Sequence, residues 1–478
     1  MSEGNTSILS IAQQVRSAGL RVLLPSDDEF ATRQRSIWSL SAQILPGCIV
    51  RPHTTQEVAI AVHMFSTHEW EFAIRSGGHT PWAGASSVAG GIILDLSLLA
   101  SIQYDYIDSA VIVGPGALWK DVYAKLDQVG RMVAGGREGN VGVGGLILGG
   151  GYSFLTARKG FACDTVIQFE VVLADGSIIL ADAQQSSDLF WALKGGSNNF
   201  GVVTSFKMET YEGTRIWGGV TFYPKSISYQ AIKNLTAFTE DLPNALDSSM
   251  LCFFAHTDVV VAMVALQADG EPSSFNLQPW RELPSIFSTC RPTTMSEYVS
   301  TPEHSMPGGY HNIFFTATFK NSVRIAVYAV ELHEKLVSEF KERIPDGDFW
   351  TQCLLQPLPT MYAARSVAAG GNAMGLERQS VNGLLFVAVA MVRTSSQYTW
   401  AYLKVKTWLE AVKAFAGTET EGGNLDWIYL NYADMSQNPL RSYGVDNLRR
   451  MEEVAVKYDP EQVFQRLCPG GFKISSAK

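Results

Sequence analysis

The chain has 478 residues, 46% of them hydrophobic and 17% charged, with 42 glycines and a net charge of −9. That length predicts two or three domains rather than one core, and the acidic balance argues against a nucleic-acid backbone or an anionic membrane as the main partner. No apolar run approaches a membrane span, and "MSEGNTSILSIAQQVRSAG" lacks the basic start and apolar core of a secretion signal, so a cytoplasmic protein is expected.

In chain order, "ILSIAQQVRSAG" reads as a helix, followed by "RVLLP" and a polar loop. From Gly47 short β-runs alternate with helices. "GCIVRP" is a strand ending at proline, and "TTQEVAIAVHMFSTHE" an amphipathic helix capped by Thr54 or Thr55. "EFAIRS" is the next strand and runs straight into "GGHTPWAG". "GGIILDLSLL", "AVIVGPG" and "LWKDVYAKLDQVG" continue the alternation, and "TVIQFEVVLADGSIILAD" is a hairpin turning at Asp175-Gly176. This first region, residues 1–211, is α+β.

From 212 to 420 the texture changes to long apolar β-runs, "SSMLCFFAHTDVVVAMVALQ", "GGYHNIFFTATFK" and "SVNGLLFVAVAMVRT", separated by helices such as "NSVRIAVYAVELHEKLVSEFKER". They predict a broad antiparallel sheet with helices on one face. Residues 421–478 return to loop and helix, rich in aromatic residues and asparagine for a surface tail. The six cysteines, at 48, 163, 252, 290, 353 and 468, form no CxxC pair or zinc spacing and read as buried thiols, so no metal site is expected.

Walker A, HExxH and complete GxSxG patterns are absent, and Gly142-Val-Gly144-Gly-Leu reaches Ile147 where a dinucleotide fingerprint needs its third glycine. Three glycine clusters remain: Ser76-Gly77-Gly78-His79 after a strand, "GVGGLILGGG" over 142–151, and Gly195-Gly196 before "SNNFG". Successive N–H groups in tight turns make concave anion sites, and missing side chains let a flat ligand approach the backbone. One cluster alone reads as a crowded turn; three in one α+β domain point to a dinucleotide.

Four ordered segments, "VRPHTTQEVAIAVHMF…EFAIRSGGHTPWAGAS", "VGVGGLILGGGYSFLTARKGFACDTVIQFEVVLADG", "DLFWALKGGSNNFGVVTSF" and "YLNYADM…YGVDNLRRMEEVAVKYDPEQVF", resemble the berberine-bridge-enzyme-like branch of the vanillyl-alcohol-oxidase, or PCMH-type, flavoproteins. The resemblance runs from about Gly47 to Phe464, and the middle domain shares texture only. It implies a two-part FAD-binding domain, its core at 43–211, a substrate domain at 212–420, and a C-terminal segment, 421–478, returning to the FAD domain.

By this resemblance Ser76, Gly77, Gly78 and Thr80 bind the FAD pyrophosphate, Arg75 belongs to the same cofactor-binding turn, and His79 is bonded to the flavin 8α carbon. Val141, Gly142, Gly144, Gly145, Gly149, Gly150, Tyr152, Gly201, Val202, Val203 and Asn431 complete the cofactor site. Many members add a second link through a cysteine; Glu138 stands in that place, so a single covalent bond is expected. The family's usual histidine after "GVGG" is Leu146. Val141 lies where resemblance places a gate beside the flavin, and so small a residue goes with O2 as electron acceptor.

Catalysis requires hydride transfer to flavin N5 and a base for the proton. Tyr152 matches a tyrosinate base of some relatives, and Tyr429 a second tyrosine on the substrate face. An unperturbed tyrosine titrates near pH ~10, so a base here needs a nearby cation, for which Arg158 and Lys159 are the sequence neighbours. Tyr310 and His311 are further substrate contacts outside the catalytic set. The leading expectation is an oxidase of an alcohol, phenol or amine of specialised metabolism that yields H2O2, with ring closure as a related outcome. The alternatives are a flavin-scaffolded cyclase or isomerase without net redox turnover, and a binding protein on an inherited fold.

Overall fold

The alternation from Gly47 onward folds around two small sheets that together carry a glycine-lined floor. The computed structural model describes residues 7–266, 277–302, 306–420 and 422–477. In the first sheet the strands run in the order Val22–Leu23, Cys48–Val50, Ile92–Asp95, Phe72–Arg75, the last three parallel. The helix Thr55–Thr67 crosses between two of them, with the Thr54 side chain accepting from the Glu57 N–H as its cap. Its buried Val58, Ala61, Val62 and Phe65 fall at i, i+3, i+4 and i+7, the period of a helix lying on a sheet. A second, antiparallel sheet has the order Ile102–Asp105, Ala110–Val113, Val202–Glu209, Val166–Val172, Ile178–Asp182. Its last hairpin turns at Gly176, with φ +83°. The polar loop expected after "RVLLP" contains a helix, Asp28–Arg35, in which only Phe30 is buried.

The large sheet begins at Arg215–Pro224, just after Tyr211–Glu212 pairs with Arg131–Met132 of the first region. Among the described residues it has nine strands, antiparallel throughout. The helices Ser228–Asp241, Val323–Arg343 and Ser395–Gly417 pack on it. The strand Gly383–Val392 is buried at every position. Its Phe386, Ala388, Ala390 and Val392 join the main core, while Val387, Val389 and Met391 turn the other way with Phe314 and Leu354. That second face looks back at the two small sheets.

The last strand of the large sheet is Asn424–Leu425, so the chain leaves that domain a few residues later than the change in composition at 421. The remaining tail packs on the first region. Arg450 lies over the Trp191 ring, and Lys457 and Tyr458 both reach Asp188. Asn198 and Asn199 donate to the Gly470 and Phe472 carbonyls. All six cysteines are unpaired and five are buried. Among the described residues no helix is long and apolar enough to cross a membrane.

Candidate active site

A cavity of about 680 Å³ lies between the small sheets and the second face of the large one. The strand Phe72–Arg75 delivers Ser76, Gly77, Gly78, His79 and Thr80 to its wall. Gly77 and Gly142 meet backbone to backbone: a Cβ on Gly77 would stand 2.6 Å from Gly142 N, and one on Gly142 2.5 Å from Gly77 N. Gly78 adopts φ +68°, a region that suits glycine. The Ser76 hydroxyl donates to the Pro115 carbonyl at 2.5 Å and so fixes the loop on the neighbouring turn. Among the described residues, the N–H groups of Gly78, His79 and Thr80 have no protein acceptor. Glycine approach with free N–H donors fits a phosphate-bearing cofactor.

Arg75 is placed differently from its expected role. Its side chain is buried beneath the loop, donates to the Arg33 carbonyl and the Ser36 hydroxyl, and lies 4.0 Å from Asp95. It supports the turn and does not line the cavity. Gly149 and Gly150 are also absent from the lining. A Cβ on Gly149 would stand 2.0 Å from Asn431 Oδ1, and one on Gly150 2.4 Å from Met374 Sδ, so both serve close packing. Val141, Gly142, Gly144, Gly145, Tyr152, Gly201, Val202, Val203, Tyr429 and Asn431 do line it.

The His79 ring stacks on Trp38, centroids 4.2 Å apart and planes 9° from parallel. Its Nε2 lies 3.4 Å from Glu138 Oε2, an oxygen with no hydrogen-bond partner. Glu138 thus presents a carboxylate to the histidine.

Tyr152, expected as a base, and Tyr429, expected on the substrate face, are both engaged. The Tyr152 hydroxyl donates to the Pro357 carbonyl at 2.7 Å and meets Tyr362 Oη at 3.2 Å. Burial, opposed by Arg137, pushes its pKa up to about 12. Tyr429 Oη accepts from the Tyr152 N–H at 2.7 Å and from Asn431 Nδ2 at 3.1 Å, and burial holds it above the ordinary phenol range. Arg158 instead pairs with Asp247 and Lys159 lies over the Tyr211 ring, so neither serves Tyr152.

The cation comes from Arg137, which sequence reasoning did not single out. Its guanidinium stands 4.2 Å over the Tyr152 ring and donates to Gln356 Oε1 and, at 2.8 Å, to Tyr432 Oη. Burial works against the charge, but the oxygens of Tyr432, Tyr152 and Tyr429 outweigh it and hold its pKa above the ordinary arginine value. Tyr432 lines the cavity, and among the described residues its hydroxyl donates to nothing. Arg137 and Tyr432 form a cation–phenol pair at the meeting of the glycine floor and the sheet. Beside them the sheet presents Leu354 and Val389, in the apolar cluster against which Tyr432 packs, and further apolar lining from Val220, Phe222, Leu251 and Phe253. Tyr310 and His311 lie off the cavity: the Tyr310 hydroxyl donates to Asp348, and His311 packs by Tyr398.

The FAD binding domain family matches residues 46–182. A relative named FAD-dependent monooxygenase sdcF, from Emericella nidulans, is 37% identical over 472 residues, 96% of this chain and 97% of its own. FAD-dependent monooxygenase drtC of Aspergillus calidoustus is 34% identical over 469 residues, 96% and 88% of the two chains. The glucooligosaccharide oxidase of Acremonium strictum, described with a 6-S-cysteinyl, 8α-N1-histidyl FAD, superposes with a TM-score of 0.78 at 19% identity over 99% of both chains.

Proposed function

This chain belongs to the FAD-dependent oxidoreductases that include the FAD-dependent monooxygenases sdcF and drtC, and from that premise we propose that it is an oxidase of a largely apolar small molecule of secondary metabolism, with FAD attached through His79 alone. One observation carries the reading. A single cavity runs from the glycine loop and His79, past Arg137 and Tyr432, to an apolar sheet face. FAD held there by the glycine loop and His79 would supply a hydride acceptor and a route for the electrons to O2.

The chain's own residues do the rest. Gly78, His79 and Thr80 offer N–H groups to the phosphates, and Gly77 with Gly142 lets the loop lie close enough to present them. Glu138 faces His79 Nε2 and leaves Nδ1 as the attachment atom. The face of Phe222, Phe253, Leu354 and Val389 holds the substrate and keeps water out. Tyr432, beside the Arg137 guanidinium, exchanges the proton of the substrate hydroxyl. Tyr152 and Tyr429 position the wall. Val141 leaves O2 a path to the reacting edge.

Photoreduction of the holoenzyme without air, followed by mixing with aerated buffer, tests this. The reading expects reoxidation far faster than that of free FAD, with one H2O2 per flavin. Reoxidation at the rate of free FAD contradicts it, and favours the cyclase or isomerase reading. The names of the relatives favour oxygen insertion as a second reading. An 18O label from O2 in the product distinguishes the two.

A further inference from the structure

Arg51 and Arg75, the two buried arginines among the described residues, each face a carboxylate: Arg51 pairs with Glu29, and Arg75 lies 4.0 Å from Asp95. Arg137 does not. Its hydrogen bonds go to two neutral groups, Gln356 and Tyr432, and its buried Nη1 has no acceptor among the described residues. Glu138, next in the chain, turns its carboxylate to His79 and Asn140 instead. A guanidinium enclosed by protein without a counter-ion is costly. Arg137 keeps part of its surface accessible and lines the cavity, so a ligand there can supply the missing charge.

We propose that Arg137 is the subsite for an oxyanion of the substrate, and that the substrate is a bulky, largely apolar molecule carrying an acidic enol or phenol hydroxyl. This inference rests on the reading of the cavity as the substrate side of a flavin site. A charge-assisted hydrogen bond to guanidinium is about twice as strong as a neutral one, and is stronger still where water is excluded. The apolar strand positions that line the same cavity accept the rest of the molecule through burial alone. The same charge repels an ammonium set against it. A simple aliphatic alcohol, which does not ionise near neutral pH, gains little from it.

The test is calorimetric titration of the holoenzyme, near the pH at which the diketone begins to ionise, with three probes of similar size. They are 1-phenyl-1,3-butanedione, which forms an acidic enol, butyrophenone, which is neutral, and 4-phenylbutylamine, which is cationic. The diketone is expected to bind at least ~10-fold more tightly than the ketone, as a charged hydrogen bond confers, with the amine weakest. In Arg137→Met the preference for the diketone disappears while butyrophenone affinity stays within about twofold, taking the added contact as apolar. If Arg137→Met does not fold, Arg137→Gln is read in the same way. Equal affinities in the wild type, or a preference that survives in the variant, overturn the proposal. Heat of binding is read whether or not flavin is attached. Colourless protein that still ranks the probes this way defeats the oxidase reading and leaves the oxyanion subsite standing.

Discussion

Gly77→Ala puts the cofactor loop to the test at its tightest contact. The new Cβ would stand 2.6 Å from Gly142 N, some 0.8 Å short of the 3.4 Å at which ordinary contact begins. Both partners are backbone, so no side chain can rotate away and the loops themselves must separate. An N–H···O bond of about 2.9 Å stretched by that amount passes out of hydrogen-bonding range. Losing one charge-assisted bond costs about 1.5–3 kcal/mol, a roughly 10- to 100-fold weaker Kd. The assay is titration of apo-protein with FAD by fluorescence quenching, in a His79→Ala background so that binding is reversible. Circular dichroism checks that the fold is kept. A Kd within twofold of the background would refute the loop as the phosphate cradle.

Three further outcomes follow from the same geometry. Tyr152→Phe leaves the Pro357 carbonyl without its donor and destabilises the protein by about 1–3 kcal/mol, but lowers kcat less than tenfold, whereas Tyr432→Phe lowers kcat by about 100-fold or more; equal losses would return the proton role to Tyr152. Glu138→Gln slows covalent incorporation of FAD into apo-protein about tenfold, a charge-assisted contact being replaced by a neutral one; an unchanged time course of acid-precipitable flavin fluorescence makes the contact with His79 incidental. His333 is buried, and burial lowers its pKa to about 3 in the folded chain, against an ordinary value of 6.5. Below about pH 6.5 the unfolded state therefore binds more protons, and stability falls with pH by up to about 1.4 kcal/mol per unit until about pH 3. Thermal melts of His333→Phe should fall less steeply between about pH 7 and pH 5, and parallel curves would remove His333 from the acid response.

The helices that could be read from sequence are those with a clear apolar period and a capping residue. Thr55–Thr67 has both, as does Val323–Arg343, with Ser322 at its cap. Asp28–Arg35 buries only Phe30, so no period marks it. The turn that brings Gly77, Gly78 and His79 to the cavity was legible because it is local: the three are consecutive, and the turn follows directly from the strand before it. Arg137 and Tyr432 were not. A charged residue between Gly136 and Glu138 reads as an exposed loop, and what encloses it comes from 219 and 295 residues away, at Gln356 and Tyr432. Tyr152 stood out beside its glycines, yet the Pro357 carbonyl that takes its hydroxyl lies 205 residues downstream. Arg75 shows the converse: adjacency to the loop suggested ligand contact, while a carboxylate on the next strand, Asp95, draws its side chain beneath.

The most direct test of the central claim is the visible spectrum of purified protein after acid precipitation, washing and redissolving. The account predicts flavin absorbance that stays with the wild-type polypeptide and leaves with the supernatant in His79→Ala. Flavin released from the wild type would contradict the attachment through His79, and a colourless protein that FAD cannot reconstitute would contradict the flavin site itself.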